Sequence, residues 1–476
     1  MAVFCSLIRS ASAARTRPAD QAVPAPATSS PRGLIIAAAS SGSGKTTLTL
    51  GLLHLLHRQG VAVRGFKIGP DYIDPAFHAA ASGADCYNLD GWAMRPASLA
   101  SLIDTAATEL VVVEGVMGLF DGAAMPADAA PDDLAPGSTA QLAAQTGWPV
   151  VLVLNVKGQA ATAAAVARGL RDHHADVRIA GVICNNVGGP RHQEILQQAF
   201  QQVGIPVFGY VPHERRLTLP DRHLGLVQAG EHADLSAFLA AAADHLAAHV
   251  AIDDLLAIAR PISAMPSSPE SGNERGALLP PFGQHIAVAR DIAFAFAYSG
   301  QLLAWRQAGA EISFFSPLAD ETPRADADAI FLPGGYPELH AGKLAANARF
   351  QAGLRQAVSR QVIVYGECGG YMVLGDALTD AQGQSHAMLG LLPVETSFAT
   401  RKLHLGYREA RFLSDSPLGN RGDRLRGHEF HYATIVREGD AAALFSVGDA
   451  QGRPLGDCGR RRGTVFGSFL HLIDVA

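Results

Sequence analysis

The sequence predicts an α/β fold with two domains, each built around a parallel sheet. Short apolar runs such as "GLIIAAA" and "LVVVEG" alternate with helical stretches between Gly33 and about Tyr210, and this alternation restarts after Gln284. Continuous apolar strands separated by helices are typical of a parallel sheet covered on both faces. Pro, Ser and Gly dominate the stretch between Arg260 and Gln284, as in linkers. We therefore expect domains over residues 33–250 and 284–476, joined by a linker over 251–283.

Composition narrows the function classes. The 476 residues carry 38 Lys and Arg against 44 Asp and Glu, which argues against nucleic acid as a partner. No apolar stretch approaches the roughly 18 residues of a membrane helix. Five cysteines without CxxC spacing indicate a reducing cytoplasm rather than a disulfide framework. Residues 1–32, rich in Ala, Ser, Arg and Pro, are expected to be a disordered extension, although a transit segment or a misassigned start stays open.

The stretch "SSGSGKTT" lies between the first strand and the first helix and predicts a phosphate-binding loop. Ala39 occupies the place of the first glycine of the GxxxxGK[ST] pattern. The remaining pattern and the residue after it supply the ATP-binding candidates Gly42, Gly44, Lys45, Thr46 and Thr47. Backbone N–H groups would hold the phosphates, Lys45 would reach the β and γ oxygens, and Thr46 would offer its hydroxyl to Mg²⁺. The alternative is a flexible Gly/Ser turn with an incidental lysine.

Two further loops follow strands at the same sheet edge. In "LVVVEGVMGLFDG", Glu114 ends a strand where it could bind Mg²⁺, and Asp121 lies seven residues later. The candidates for a substrate or phosphoryl site in "FKIGPDYIDPAFH" are Lys67, Asp71, Tyr72 and Asp74. The alternatives are a surface carboxylate at the strand exit and a polar loop with an Asp-Pro turn.

Asn185 in "CNNV" ends the fifth strand of the first domain. Its amide could bond to an adenine edge, since it offers both a donor and an acceptor. A turn-forming role for this asparagine is equally compatible with the sequence.

The second domain contains a candidate nucleophile in "QVIVYGECGGYMVLGDAL". Cys368 lies between an apolar strand and a helix, flanked by glycines, as in a nucleophile elbow. We expect the helix N-terminus to lower the pKa of the Cys368 thiol. His471, after the last apolar strand, is the candidate base, and Gly334 and Gly335 in "LPGGYPE" could donate N–H groups to an oxyanion. The alternative is a buried cysteine that serves as a small hydrophobe.

Taken together, these motifs resemble the cobyrinic acid or hydrogenobyrinic acid a,c-diamide synthase family. The resemblance covers about Gly33 to Leu472. Its motifs, in chain order, are "SSGSGKTTLTLGLL", "GFKIGPDYIDPAFH", "NLDGWAM", "VEGVMGLFDG", "GSTAQLA", "IAVARDIAFAF", "LPGGYPE", "YGECGGYMVLG", "GHEFHY" and "GSFLH".

The resemblance implies a dethiobiotin-synthetase-like amidoligase domain and a class I glutamine amidotransferase domain. Cys368 would form a glutamyl thioester and release ammonia, with His471 activating it. Lys45 and Thr46 would hold MgATP. Glu114 and Asp121 would organise metal or substrate, while Asp71 and Tyr72 would shape the substrate-carboxylate site. Ammonia would then displace phosphate from an acyl phosphate of the substrate.

Two positions depart from the pattern of relatives. Ile473 occupies the place of the glutamate that follows the histidine by two residues in ordinary class I amidotransferases, so Glu429 in "GHEFHY" becomes a candidate orienter of His471. In the "LVLNVKGQA" loop, Asn155 and Lys157 stand where the family is expected to carry acidic or small residues, so the role of this loop stays open.

Other functions stay compatible with the sequence. They are cobyric acid synthase, nickel-sirohydrochlorin a,c-diamide synthase and a P-loop switch ATPase. The presence of cobalt in the substrate and a homodimeric state are also open.

Overall fold

The structure is a computed structural model that describes residues 31–106, 108–125, 128–218, 221–222, 225–232, 234–263 and 278–476. Most of the expected extension over 1–32 lies outside the described residues, but Arg32 already belongs to the first strand. No helix in these ranges is long and apolar enough to cross a membrane.

The N-terminal domain alternates strands with helices. Its strands are β1 (Arg32–Ala38), β2 (Val63–Ile68), β3 (Tyr87–Leu89), β4 (Leu110–Glu114), β5 (Val150–Asn155), β6 (Ile179–Val187), β7 (Val207–Pro212), β8 (Asp221–Arg222), β9 (Gly225–Leu226) and β10 (Arg260–Pro261). Its helices are α1 (Lys45–Arg58), α2 (Asp74–Ser82), α3 (Pro96–Asp104), α4 (Thr139–Thr146), α5 (Thr162–Asp172), α6 (Pro190–Val203), α7 (Leu235–His249) and α8 (Ile252–Ala257).

A parallel sheet with the order β3-β2-β4-β1-β5-β6-β7 forms the centre of this domain. Its central strands are buried along nearly their whole length, because helices cover both faces and leave no polar side. The carboxyl ends of β1, β2, β4 and β6 therefore meet at one edge, where the sequence places its phosphate-site candidates.

The expected linker over 251–283 needs correction at both flanks. Helix α8 follows α7 directly, and β10 pairs with the start of β1, so the N-terminal domain continues to Pro261. Leu278, Leu279 and Phe282 are buried in hydrophobic cores. Apolar packing at both flanks overrides the loop-like composition, and residues 264–277 lie outside the described residues.

The C-terminal domain is richer in strands. Its strands are β11 (His285–Ala289), β12 (Glu311–Phe315), β13 (Ala329–Leu332), β14 (Ile363–Glu367), β15 (Ala377–Thr379), β16 (Ser385–Ala387), β17 (Val394–Ser397), β18 (His404–Phe412), β19 (Arg424–His431), β20 (Thr434–Glu438), β21 (Ala442–Asp449), β22 (Pro454–Arg462), β23 (Val465–Ser468) and β24 (His471–Val475). Its helices are α9 (Ser299–Gln307), α10 (Ala341–Ala346), α11 (Ala348–Ser359) and α12 (Gly369–Leu374).

One long mixed sheet forms the centre of this domain. Strands β12, β11, β13, β14 and β23 are parallel, and β22, β21, β18, β19 and β24 continue the sheet in antiparallel fashion. His471 begins β24, so it does not lie after the last strand as expected from the sequence. Pairing with His428 on β19 fixes its backbone position.

Hydrogen bonds and aromatic stacking join the two domains. The Tyr298 hydroxyl donates to the carbonyl of Pro70 at 2.9 Å, and Trp92 stacks on Tyr407 with ring centroids 4.5 Å apart. Asp474 on β24 accepts hydrogen bonds from the backbone N–H and the guanidinium of Arg95. The strand that carries His471 is therefore anchored to the N-terminal domain.

Candidate active sites

The phosphate loop has the backbone geometry that its glycines predict. Gly42 and Gly44 have φ angles of 73° and 92°, in the left-handed region that favours glycine, and helix α1 begins at Lys45. Ala39 does not have a positive φ, so this position does not require glycine. The loop opens on a cavity of about 550 Å³ that Lys45, Thr46 and Thr47 also line.

Lys45 lies across this cavity. Its ammonium donates to the carbonyl of Met117 at 2.6 Å, and burial together with the charge of Lys67 lowers the pKa of Lys45 to about 8. A phosphate group would supply the negative charge that favours the protonated form of this lysine.

Glu114 is fully buried, and both of its oxygens are bonded. Oε1 accepts from the Thr46 hydroxyl at 2.7 Å and from Lys67 Nζ at 2.9 Å, while Oε2 lies 2.6 Å from Nε2 of His78. Burial alone would raise the pKa of Glu114, but Lys67 and His78 hold it below its ordinary range. Glu114 is thus a fixed anion that orients the Thr46 hydroxyl.

His78 is a member of this cluster that sequence reasoning missed. It lies four residues after Asp74 on α2, and residues at this spacing share a helix face. Asp74 Oδ2 lies 2.7 Å from Lys67 Nζ, and His78 contacts Glu114, which pairs with the same lysine. Burial lowers the pKa of His78, but Cys86 and Glu114 outweigh it and raise the pKa to about 10. The spacing in "DPAFH" was the signal that could have identified it.

Asp71 and Tyr72 point in different directions from one loop. Asp71 Oδ1 accepts the N–H groups of Ile73 and Asp74 at 2.8 and 3.1 Å, which caps the start of α2, and Asp71 lines the phosphate-loop cavity. Tyr72 reaches the other domain, where its hydroxyl donates to the carbonyl of Phe430 at 3.2 Å.

Three polar residues that the sequence analysis considered have local structural partners. Asn185 Nδ2 donates to the carbonyl of Ser43 at 2.9 Å, which braces the phosphate loop, so its expected contact with adenine stays a prediction. Asp121 Oδ2 accepts the N–H of Gly118 at 2.8 Å and does not line the phosphate-loop cavity. Asn155 Oδ1 accepts from Asn186 at 3.0 Å and from the backbone N–H of Lys157 at 3.1 Å, so this loop also holds its own conformation.

A second cavity of about 770 Å³ lies between the domains, next to the first. The residues that line both cavities are Ser41, Asp71, Val116 and Met117. Aromatic and aliphatic side chains dominate the walls of the second cavity, Arg408 and Arg453 add positive charge, and Asp71 and Asp449 add negative charge. Such a cavity fits a large, mainly apolar molecule with peripheral carboxylates.

Cys368 has the strained backbone of a nucleophile elbow. It lies between β14 and α12 with φ 47° and ψ −105°, an unfavourable region for a non-glycine residue. Its N–H donates to the carbonyl of Ser468 at 2.8 Å. The expected lowering of its pKa is wrong, because burial raises the pKa of the thiol well above its ordinary value.

Gly334 lies against both Cys368 and His471. A Cβ added to Gly334 would lie 3.3 Å from Cβ of Cys368 and would clash with Cε1 of His471. Gly335 is equally confined, because its Cβ would overlap the carbonyl of Ala293. The structure therefore brings all four residues together, and glycine is required at both positions for steric reasons.

Among the described residues, His471 has no carboxylate partner at hydrogen-bond distance. Burial lowers its pKa to about 3. Glu429, the expected orienter, instead accepts from Arg408 at 2.7 Å and pairs with His431 at 2.9 Å. Glu367 is the nearer carboxyl, with Oε2 3.9 Å from His471 Nδ1. Sequence reasoning missed Glu367 although it directly precedes the cysteine.

Comparison with known proteins agrees with this geometry. The family model of the CobQ/CobB/MinD/ParA nucleotide binding domain matches residues 34–227. The family model of the CobB/CobQ-like glutamine amidotransferase domain matches residues 285–474. The chain is 55% identical to a hydrogenobyrinate a,c-diamide synthase of Brucella anthropi, over 93% of this chain and 98% of the relative. Enzymes of the same name from Rhodobacter capsulatus and a Sinorhizobium species are 53% and 52% identical, each over 93% of this chain and 99% of the relative.

The chain belongs to the hydrogenobyrinate a,c-diamide synthase family. As a member of this family it is a glutamine-dependent amide-forming ligase of cobalamin biosynthesis, and its nucleotide-binding domain supports the use of ATP. The predicted α/β architecture, with a P-loop domain followed by a glutamine amidotransferase domain, is confirmed. An amidotransferase domain in the second half argues against the P-loop switch ATPase.

Proposed function

We propose that this enzyme amidates the a and c carboxylates of hydrogenobyrinic acid, with ATP and glutamine as co-substrates. The observation that supports this best is the adjacency of the two cavities. The two cavities share the lining residues Asp71 and Met117. A carboxylate of a substrate in the interdomain cavity would therefore lie next to the γ-phosphate of ATP in the phosphate-loop cavity. The names of the relatives favour the metal-free substrate over cobyrinic acid.

The first step activates the carboxylate. An oxygen of the substrate carboxylate attacks the γ-phosphorus, and the bond between that phosphorus and the β-phosphate oxygen breaks. ADP departs, and the substrate carboxylate becomes an acyl phosphate. Lys45 and the N–H groups of Gly42 and Gly44 stabilise negative charge on the phosphates. Lys67 stays cationic beside this site, because Asp74 and Glu114 outweigh its burial and raise its pKa.

The residues of the phosphate-loop cavity fit Mg²⁺, since hard cations take oxygen ligands. The Thr46 hydroxyl and the carboxylate of Asp71 line this cavity. Glu114, whose oxygens are already bonded, would hold Thr46 in place. When bound, Mg²⁺ neutralises charge on the β- and γ-phosphate oxygens.

The second step releases ammonia from glutamine. Cys368 Sγ attacks the side-chain amide carbon and loses its proton to His471, which passes it to the leaving amide nitrogen. Backbone N–H groups of the Gly334 and Gly335 loop would stabilise the oxyanion. Ammonia and a glutamyl thioester result, and water hydrolyses the thioester to glutamate.

The third step forms the product amide. Ammonia attacks the carbonyl carbon of the acyl phosphate, the bond from that carbon to the phosphate oxygen breaks, and phosphate leaves. Each amide therefore consumes one ATP and one glutamine. A cytoplasmic location, a homodimeric state and the adenine contact of Asn185 stay predictions.

The test is a product assay with labelled glutamine. The protein is incubated with MgATP, hydrogenobyrinic acid and glutamine that carries ¹⁵N in its amide, and the product is analysed by mass spectrometry. We expect two successive conversions of carboxylate to amide, with ¹⁵N in both amides. Absence of a diamide would contradict the proposal. Parallel reactions with cobyrinic acid compare the cobalt-containing substrate directly.

A further inference from the structure

The ring of His471 lacks the hydrogen-bonded orienter that Cys–His hydrolytic sites normally have. Neither Nδ1 nor Nε2 of His471 has a hydrogen-bond partner among the described residues. The side chain is nevertheless fully buried. Packing must therefore set the orientation of this ring.

Neither of the two nearby carboxyl groups is hydrogen-bonded to His471. Glu429 pairs with Arg408 and His431. Glu367 Oε1 accepts from the Tyr365 hydroxyl at 2.6 Å and from the N–H of Leu472 at 3.1 Å. Both bonds are made by Oε1, and Oε2, the oxygen nearer to His471, lies 3.9 Å from its Nδ1, which exceeds hydrogen-bond length.

One face of the His471 ring is covered by Tyr72 of the N-terminal domain. The ring centroids lie 4.6 Å apart with an interplanar angle of 26°. Phe296 stacks on Tyr72 at 4.2 Å, and its N–H donates to the carbonyl of Gly334 at 3.0 Å. Gly334 in turn lies against Cε1 of His471. Tyr72, Phe296 and Gly334 are thus linked in a chain of contacts, and both ends of this chain contact the imidazole of His471.

Hydrogen bonds across the domain boundary hold the Tyr72 loop in place. The Tyr72 hydroxyl donates to the carbonyl of Phe430, and the Tyr298 hydroxyl donates to the carbonyl of Pro70. The same loop carries Asp71, which lines both ligand cavities. Tyr72 also lines the interdomain cavity.

We propose that Tyr72 is a positioning residue for His471, so that the N-terminal domain completes the glutaminase site of the C-terminal domain. The proposal rests on the proposed function, in which Cys368 and His471 hydrolyse glutamine. Stacking fixes the plane of the imidazole beside Cys368, and with it the directions in which the two ring nitrogens point. Ordinary class I amidotransferases have a glutamate at the position of Ile473 to orient the histidine. Here the ring of Tyr72 takes that orienting role.

The test measures glutamine hydrolysis without corrinoid substrate or ATP, so that a role of Tyr72 in binding the corrinoid does not contribute. Tyr72→Phe keeps the aromatic face and should stay within about three-fold of wild type. Tyr72→Leu removes it and should lower kcat on the order of 100-fold, because about 1 Å of misplacement can cost that much. The KM for glutamine should change less than kcat. The rate at which a diazoketone analogue of glutamine alkylates Cys368 should fall in parallel with kcat.

Trp92→Leu is the matched control. Trp92 also docks the N-terminal domain onto the C-terminal domain, and its ring lies against Tyr407 and Arg426 rather than against His471. We expect its glutaminase activity to exceed that of Tyr72→Leu by at least about ten-fold. Equal losses in the two variants would overturn the positioning role and indicate general loosening of the interface.

Two other outcomes are distinguishable. Normal glutamine hydrolysis by Tyr72→Leu overturns the positioning role alone. A wild-type chain that neither hydrolyses glutamine nor is alkylated at Cys368 overturns the proposed function, and the positioning role with it.

Discussion

The hydroxyl of Thr46 donates a 2.7 Å hydrogen bond to Oε1 of Glu114, which joins the phosphate loop to the end of β4. Lys67 donates to the same oxygen, and Nε2 of His78 lies 2.6 Å from the other oxygen of this carboxylate. The buried anion thus fixes a threonine that lines the phosphate-loop cavity, and Lys67 and His78 balance its charge.

Replacing the Glu114 carboxylate with an amide tests this arrangement. Glu114→Gln should lower ATP-dependent amidation about 100-fold with either glutamine or ammonium, since loss of a preorganised electrostatic group typically costs that much. Glutamine hydrolysis without ATP should persist. Asp121→Asn is the comparison, with an expected loss under about ten-fold, because Asp121 Oδ2 accepts from Gly118 in its own loop and its charge affects Lys45 less than those of Glu114 and Asp74 do. Equal losses would favour the sequence-based role of Asp121 at the substrate.

Removing the nucleophile separates the two half-reactions. Cys368→Ser should abolish glutamine-driven amidation, with a loss on the order of 1,000-fold or more, because serine lacks the intrinsic nucleophilicity of the thiol. Amidation driven by high ammonium should survive, since acyl phosphate formation uses the other domain. Cys458→Ser is the control and should retain both activities. Loss of both activities in Cys368→Ser would contradict separate sites.

Gly334 offers a steric test. The added methyl of Gly334→Ala would clash with Cε1 of His471, so the imidazole must move and glutamine hydrolysis should fall about 100-fold. Gly342→Ala in the same domain is the control, because its Cβ would meet only ordinary contacts at 3.4 Å or more from His386. Steady-state glutaminase assays at saturating glutamine measure both variants. An unimpaired Gly334→Ala would contradict the close packing of Gly334 against His471.

Glu367 predicts a dependence of stability on pH. Burial raises its pKa from the ordinary 4.5 to about 8. Between these values the unfolded chain releases a proton that the folded chain keeps, so the free energy of unfolding falls as pH rises. The melting temperature of Glu367→Gln should therefore improve relative to wild type between pH 5.5 and pH 8. A difference between Glu367→Gln and wild type that stays constant over this range would contradict the raised pKa.

Much of the fold could be predicted from local sequence patterns. Apolar runs identified β1, β4 and β14, because a strand buried on both faces excludes polar residues. The glycines around Lys45 and Cys368 identified both turns, since positive φ angles and close backbone approaches restrict the residue type. The linker was placed too broadly, because composition does not reveal that α8 and β10 pack onto the first sheet.

The partners of individual charges could not be predicted in the same way. Glu429 was the expected orienter of His471, but antiparallel pairing of β18 with β19 brings Arg408 to it instead. Glu367, adjacent to the nucleophile in sequence, escaped notice because a strand end gives no sign of which side chain it will face. The pKa of Cys368 was expected to fall, but burial outweighs the N-terminus of a helix of only six residues.

The sequence by itself determined the two α/β domains, the phosphate loop and the cysteine elbow, because each depends on residues close together in the chain. Only the tertiary structure decided that Tyr72 of the first domain covers His471 of the second. Nearly 400 positions separate these residues in the chain. Their contact arises from the docking of two independently patterned sheets, and no local periodicity or spacing encodes which loop of one domain meets which strand of the other.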